Sequence, residues 1–308
     1  MPPAAVLICG LSLLIAAACN AGPRPSSTPA GATPTPPPSA AYVRRGVPYC
    51  THGGVQLLMD IYVPKTRAAR APAVLFLHAG AWILGDKTVT SGVSEFEPYL
   101  ERGYVIASID YRLAPMAKFP AQIQDAMCAV RFLRARAAEF GIDPNHIAAM
   151  GASAGGHLAA LLGVLKGDEF GAPSQYANES SRVQAVVDLF GPADLQAPDF
   201  VSISLDAAQK VFGVDHLGPS PQLKRASPVT YVSSSSAPFL IIHGAEDSVV
   251  PLNQSVALAA KLTAAGVPVH LIVVQNAEHG LVPKGGPISP SLDAIIQAIG
   301  SFLDRTLK

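Results

Sequence analysis

The chain has 308 residues, of which 49% are hydrophobic and 14% are charged. Lys and Arg together number 22, and so do Asp and Glu, so no net charge attracts nucleic acid or another highly charged partner. Residues 42–308 suffice for one large domain with a substantial core.

An uncharged apolar segment occupies Ala4 to Ala18 and is short for a membrane span. We interpret residues 1–18 as a signal peptide of the lipoprotein type, because the apolar segment ends in small residues directly before Cys19. We therefore expect Cys19 to carry lipid and to hold the protein at a membrane, outside the cytoplasm. No Lys or Arg precedes the segment, and Ala16 stands where lipoproteins usually have Leu. An ordinary secretory signal, or a misassigned start codon, is the alternative.

Residues 19–41 form a predicted tether that is rich in Pro, Ser, Thr, Ala and Gly. A segment of this composition buries little apolar surface and stays extended. The folded domain is then expected over residues 42–308. Two of the four cysteines, Cys50 and Cys128, lie within it, and either a disulfide or two separate buried thiols fits the sequence.

From Tyr42 onward the pattern is strand-like, and short apolar runs then alternate with segments of helical spacing. Strands are predicted at Val55–Tyr62, Ala73–Leu77, Tyr104–Asp110, Ile147–Met150, Val183–Leu189, Phe239–Ile242 and Val269–Val274. Helices are predicted at Ile123–Phe140, Gly156–Leu165, Leu252–Ala265 and Ser291–Leu307. Buried strands that alternate with helices indicate an α/β fold, with a mostly parallel central sheet and helices on both faces.

A serine between two glycines, in Gly151-Ala152-Ser153-Ala154-Gly155, lies between a predicted strand and a predicted helix. This arrangement is the nucleophile-elbow pattern, which exposes the serine hydroxyl at the end of a sheet. Ser153 is therefore the predicted nucleophile of an acyl transfer that proceeds through a serine ester. A Gly-rich turn that merely begins a helix is the alternative, so the prediction depends on suitable partner residues.

A serine needs a neighbouring base, and eight histidines are available. We predict His279 as the base, because it follows the last apolar strand and chemistry in such folds lies at the carboxyl ends of strands. Asp247 follows the preceding strand and is the predicted acid that orients the imidazole. Glu246 is its rival. The order Ser153, Asp247, His279 is the order of the hydrolase triad.

The segment from His78 to Trp82 follows the Ala73–Leu77 strand. It fits a loop whose backbone amides stabilise an oxyanion, with Gly80 and Ala81 as donors together with Ala154. Alanine is acceptable in such a loop if its φ angle stays negative. His78 is expected to orient the loop. Trp82 either lines the substrate pocket or simply packs the loop.

Together these motifs resemble the α/β-hydrolase esterase and lipase family, near its hormone-sensitive-lipase and bacterial feruloyl-esterase-like branches. The matching segments are His78–Trp82, Asp110–Pro115, Phe119–Gln122, Asp143–Ile147, Gly151–Gly156, Ala226–Val229 and His243–Pro251. The resemblance implies the α/β-hydrolase fold, with framework roles for Asp110, Arg112 and Asp125. Room for a small insertion that serves as a minimal lid exists between Leu189 and Phe239, with 194–218 its least regular part.

The sequence thus predicts a serine carboxylesterase that forms an acyl-enzyme. Its expected substrates are short-chain, aryl or sugar-linked esters, either small molecules or attached to polysaccharide. We expect no metal and no organic cofactor, since no HExxH-like spacing occurs. Alternatives are an amidase, arylformamidase or exopeptidase with the same triad, and a non-catalytic surface protein that kept the fold.

Overall fold

The computed structural model describes residues 36–308, apart from residues 91, 168, 172–174, 199 and 201–203. The predicted signal peptide, Cys19 and the tether up to residue 35 lie outside the described residues. The first strand begins at Ala40, just before the predicted domain start at residue 42.

The described residues form eight strands: β1 Ala40–His52, β2 Val55–Pro64, β3 Ala71–Leu77, β4 Val105–Ile109, β5 Ile142–Ala152, β6 Ala185–Leu189, β7 Phe239–Gly244 and β8 Val269–Val274. The α-helices are α1 Glu97–Glu101, α2 Ala121–Ala135, α3 Ala137–Phe140, α4 Ala154–Val164, α5 Leu205–Phe212, α6 Pro221–Ala226, α7 Asn253–Ala264 and α8 Leu292–Leu307. Short 3₁₀ turns cover Gly92–Ser94, Pro228–Thr230 and His279–Leu281.

One sheet contains all eight strands, in the order β1-β2-β4-β3-β5-β6-β7-β8. The pairs β1–β2 and β2–β4 are antiparallel, and each later pair is parallel. The carboxyl ends of β5, β7 and β8 therefore meet at one edge of the sheet. This topology confirms the predicted α/β fold with a mostly parallel central sheet.

Buried apolar side chains form one cluster on each face of the sheet. Strand β3 shows how the two clusters arise, because successive side chains of a strand alternate between faces. Leu75 and Leu77 join the cluster that holds Ile123 of α2, Leu158 of α4 and Leu258 of α7. Val74 and Phe76 instead join the cluster that holds Tyr99 of α1 and Ile299 of α8. β3 is therefore buried on both faces, as its continuous apolar sequence predicts.

One sequence-based expectation about a helix is wrong. The predicted helix Ile123–Phe140 is interrupted at Arg136, whose φ and ψ of −109° and 17° are not helical, so α2 and α3 are separate. The described part of segment 194–218 contains one short helix, α5. Ser204 caps α5 by accepting a hydrogen bond from the Ala207 amide, and Gly213 ends it in the left-handed conformation.

Cys50 and Cys128 form a disulfide, with 6.4 Å between their Cα atoms. It connects the edge strand β1 to α2, so of the two possibilities left open by the sequence, the structure shows the bonded one. None of the helices in the described residues is both long enough and apolar enough to cross a membrane.

Candidate active site

Ser153 occupies the turn between β5 and α4, with φ and ψ of 53° and −117°. A positive φ in a residue other than glycine is strained and is held in place by the surrounding structure. Here the surroundings are very close: a Cβ on Gly151 would overlap the Gly155 carbonyl, and a Cβ on Gly155 would overlap the Leu77 carbonyl. The two glycines of the motif therefore allow the backbone to approach closely enough to form the elbow.

The structure brings the three predicted triad residues together. Nε2 of His279 lies 3.0 Å from Oγ of Ser153, and its Nδ1 lies 2.8 Å from Oδ2 of Asp247. Asp247 follows β7, and His279 begins the 3₁₀ turn after β8. The tautomer that satisfies both contacts carries its proton on Nδ1, donates to Asp247 and accepts from the serine hydroxyl. The neighbouring ring of Phe190 packs edge-on against His279, at 5.0 Å between centroids.

Asp247 is buried, but its contacts favour the ionised carboxylate over the protonated acid. Its Oδ1 accepts hydrogen bonds from the amides of Val249 and Val250, at 2.9 and 2.8 Å. Burial alone would raise the pKa of Asp247, but hydrogen bonds from His243, His279 and Val250 and the charge of His279 together hold that pKa far below its ordinary value. Glu246, the rival candidate, is exposed.

His243 is a buried residue of the site that the sequence reasoning missed. Its Nε2 lies 2.8 Å from the Val250 carbonyl and 3.3 Å from Oδ2 of Asp247, while its Nδ1 lies 2.6 Å from Oγ of Ser255. A hydroxyl that donates to Nδ1 leaves the proton on Nε2, facing the Val250 carbonyl and Asp247. The signal available in the sequence was position: His243 is near the end of a buried strand, four residues before Asp247.

The predicted oxyanion loop differs from the expectation in its backbone. Gly80, Ala81 and Trp82 have φ angles of 132°, 52° and 61°, so the expectation of a negative φ at Ala81 is wrong. The cause is a tight turn, in which the amides of Ile83 and Leu84 both donate to the Gly80 carbonyl at 3.0 and 2.9 Å. This turn holds three successive residues away from negative φ.

His78 and Tyr111 support this loop. Their rings are stacked at 4.1 Å, the Tyr111 hydroxyl donates to the His78 carbonyl at 2.8 Å, and Nδ1 of His78 lies 2.7 Å from the Ala79 carbonyl. His78 is fully buried and therefore matches the expected orienting residue rather than a base.

Two of the three predicted oxyanion donors share a cavity with Ser153. Ala81 and Ala154 line this cavity, and Gly80 does not. Trp82 lines the same cavity and is only 2% exposed. Its ring also packs edge-on against His157 and Phe212, at 5.1 and 5.2 Å, so this tryptophan both lines the cavity at Ser153 and packs the loop.

The framework residues form ion pairs away from the triad. The Arg112 guanidinium contacts Asp125 through Nε and Nη2, with a shortest distance of 2.7 Å, and Lys87 contacts Asp110 at 2.9 Å. Within the part of the chain that the structure describes, no group of three or more His, Cys, Asp or Glu residues could hold a metal ion.

A family model named BD-FAE matches residues 59–262, which is more than half of the chain. The chain belongs to the BD-FAE family. This is a family of α/β-hydrolase esterases, in agreement with the resemblance that the sequence motifs indicated.

Esterase LipC of Mycobacterium tuberculosis is 32% identical to this BD-FAE chain, over 77% of the length of this chain. Esterase LipQ of the same organism is 32% identical over 74%. The chain spans 60% of LipC and 55% of LipQ, so it corresponds to just over half of these relatives.

Solved structures cover the chain more completely. A truncated carbohydrate esterase from gut microbiota has a TM-score of 0.76 and 29% identity, over 87% of this chain and 97% of that one. An esterase of Thermogutta terrifontis with bound butyrate has a TM-score of 0.68 and 27% identity, over 87% of this chain and 94% of that one.

Proposed function

We propose that this BD-FAE protein is a serine carboxylesterase that works through an acyl-enzyme. The observation that carries the proposal is the bridging position of His279, within hydrogen-bond distance of both Ser153 Oγ and Asp247 Oδ2. A base that contacts a nucleophile and is itself oriented by a carboxylate is the arrangement that activates a serine. The esterases among the relatives support the same reaction class.

In the acylation step, Ser153 Oγ attacks the ester carbonyl carbon while Nε2 of His279 takes the hydroxyl proton. Asp247 stabilises the imidazolium that forms. The carbonyl oxygen becomes an oxyanion beside the amides of Ala81 and Ala154, which donate to no protein acceptor in the described residues. His279 then gives its proton to the leaving alcohol, and the acyl group stays on Ser153 as an ester.

Deacylation repeats these roles with water. His279 accepts a proton from a water molecule that attacks the acyl carbonyl, and the oxyanion again forms beside the same amides. Collapse of the tetrahedral intermediate returns the proton to Ser153 and releases the acid. Every proton transfer is thus made by one imidazole, whose ring is fixed by Asp247.

The proposed substrates are short-chain, aryl or sugar-linked carboxylic esters. One structural relative is named a carbohydrate esterase and another was solved with butyrate, a short-chain acid. Both support esters of this kind as substrates, either as small molecules or attached to polysaccharide.

We also propose that Cys19 carries lipid and anchors the protein at a membrane outside the cytoplasm. The position of the first strand supports this arrangement. Ala40 pairs with Pro64 at the end of β2, and Tyr62 near that end pairs with Ile106 at the beginning of β4, so the chain enters the domain at the amino ends of the parallel strands, opposite Ser153. Cys19→Ser should move the full-length protein from the membrane fraction to the soluble fraction, and an unchanged distribution would contradict the anchor.

The esterase proposal is tested by hydrolysis of p-nitrophenyl acetate and of the matched anilide by the purified protein. We expect ester turnover to exceed anilide turnover, because an amine is a poorer leaving group. Ser153→Ala should lower kcat by about 10³-fold or more, whereas Ser301→Ala in α8 should leave kcat unchanged. Wild-type turnover by Ser153→Ala, with native circular dichroism, would overturn the proposal.

A further inference from the structure

Two cavities meet at Ser153, and it is the one described residue that lines both. The first, here called the small cavity, has a volume of about 50 Å³ and is lined by the predicted oxyanion donors Ala81 and Ala154. The second, here called the large cavity, has a volume of about 130 Å³ and is lined by His279. The nucleophile therefore lies between two spaces of different size and different catalytic neighbours.

The positions of these neighbours assign one half of an ester to each cavity. In the tetrahedral intermediate the carbonyl carbon carries Oγ of Ser153, the oxyanion, the acyl substituent and the leaving oxygen. The oxyanion must lie beside Ala81 and Ala154, at the small cavity. The leaving oxygen must lie within reach of Nε2 of His279, at the large cavity, because His279 protonates it. The small cavity is then the space that remains for the acyl substituent.

We propose, on the basis of the serine esterase function above, that the small cavity is the acyl site and limits the enzyme to acetyl and similarly short acyl groups. The large cavity takes the alcohol. Among the aryl esters proposed above, acetates of aryl alcohols then remain substrates, whereas esters of aryl acids such as ferulic acid do not, since a substituted aromatic ring on a three-carbon acid exceeds the small cavity. The favoured substrates are acetic esters of bulky alcohols.

The walls of the small cavity explain why it does not expand. Apart from Ser153, it is lined by apolar side chains and alanines, with Trp82, Phe200 and Val250 only 2%, 4% and 3% exposed. Trp82 is packed edge-on against Phe212 and His157 on its other sides. Buried side chains in such a close-packed interior move only at the expense of their other contacts, so a longer acyl chain finds no space behind them.

The large cavity opens to solvent. Val89, one of its lining residues, is 45% exposed, and Gly280 beside the catalytic imidazole is exposed as well. An alcohol held here can extend beyond the protein surface past these exposed residues. The larger volume of this cavity and its exposed lining fit an alcohol that is part of a sugar or a polymer.

The proposal is tested with p-nitrophenyl esters from acetate to octanoate, together with methyl ferulate. Each added methylene that a pocket rejects changes discrimination by about tenfold or more. We expect kcat/KM to fall at least 100-fold between acetate and octanoate, and methyl ferulate to remain intact. Equal kcat/KM for acetate and octanoate, or efficient hydrolysis of methyl ferulate, would overturn the acyl assignment while leaving the serine esterase function in place.

Variants of the cavity-lining residues test which cavity limits the length of the acyl chain. Phe200→Ala should raise the hexanoate-to-acetate ratio of kcat/KM by about tenfold. Val249→Ala, at the 38% exposed rim of the small cavity, should shift this ratio in the same direction. It replaces Phe200→Ala in the test if that variant does not fold. Val93→Ala in the large cavity should change selectivity among alcohols instead. An acyl profile that responds to Val93→Ala and not to either small-cavity variant would reverse the assignment. Absence of hydrolysis of every ester, without labelling of Ser153, would instead refute the proposed function itself.

Discussion

Nε2 of His243 lies 3.3 Å from Oδ2 of Asp247, the same oxygen that contacts His279. Two imidazoles therefore share one carboxylate oxygen. Only His279 also contacts Ser153, so we propose that His243 is a positioning residue for Asp247, the acid of the proposed triad. Its second contact, to the Val250 carbonyl, links Asp247 to a segment that lines the small cavity.

We predict that His243→Asn lowers kcat/KM by about 10²-fold, because a carboxylate that loses this contact is displaced from the imidazole that it orients. The contact also helps to hold the pKa of Asp247 low, so its loss should raise the pKa of that carboxyl, which NMR of the side-chain carboxyl measures. His270→Asn, at an exposed position of β8, is the matched control. A fall in activity with an unchanged pKa of Asp247 would mean that His243 serves only folding.

We expect that no residue larger than glycine is tolerated at position 155. A Cβ at this position would overlap the Leu77 and His78 carbonyl oxygens, which belong to the backbone and cannot rotate away. Gly155→Ala should therefore lower the free energy of unfolding by about 3 kcal/mol or prevent folding. Gly167→Ala, where a Cβ meets nothing within 4 Å, is the control and should change stability little. Equal denaturation midpoints for the two variants would show that the elbow does not depend on this close approach.

The Cys50–Cys128 disulfide closes a segment of 78 residues between β1 and α2. Because a crosslink over a long loop restricts the unfolded chain, removal of both thiols by Cys50→Ala and Cys128→Ala should destabilise the domain by about 2–4 kcal/mol. The wild-type protein with reductant should show a similar decrease in Tm. If reductant lowers the Tm of the double variant equally, the effect does not come from this bond.

Asp188 should make the domain less stable as pH rises. Its carboxyl is fully buried, its Oδ1 accepts the Gly191 amide at 3.0 Å, and its Oδ2 has no hydrogen-bond partner in the described residues. Burial raises the pKa of Asp188 to about 7, although the Gly191 bond and the charge of His243 act in the opposite direction. In the unfolded chain the pKa is near its ordinary value of about 3.9.

Between those two values the unfolded state releases a proton that the folded state retains, so stability decreases as pH rises from about 4 to about 7. Stability is then constant above pH 7 as far as this group is concerned. We predict that Asp188→Asn gains stability over the wild type across this range, by at most about 1.4 kcal/mol per pH unit. Urea unfolding at pH 5, 6, 7 and 8 measures the difference, and a difference that is independent of pH would contradict the account.

The sequence predicted the triad positions because each residue directly follows an apolar strand. The carboxyl ends of parallel strands meet at one edge, so Ser153, Asp247 and His279 were expected to lie together before any distance was known. The fold class followed from the same alternation. Strand positions were predicted better than helix boundaries, because an apolar run marks a buried strand directly. The interruption of the helix at Arg136 leaves the apolar spacing of α2 unchanged, so the spacing does not reveal it.

Other features depended on contacts between distant segments and could not be predicted in this way. His243 has the position of a buried strand residue, and its role becomes apparent only when the loop after β7 folds back to place Val250 and Asp247 beside it. The positive φ of Ala81 follows from a turn held by the Gly80 carbonyl. The small cavity arises where the loop after β3, the segment after β6 and the loop after β7 meet.

Covalent labelling with a fluorophosphonate tests most directly whether Ser153 is the activated nucleophile. Ser153 Oγ attacks phosphorus and fluoride leaves, so intact-protein mass spectrometry should show one adduct, and peptide mapping should place it on Ser153. Labelling should be abolished by Ser153→Ala and greatly slowed by His279→Ala. An adduct that persists in Ser153→Ala, or wild-type protein that takes up no label while correctly folded, would contradict the account.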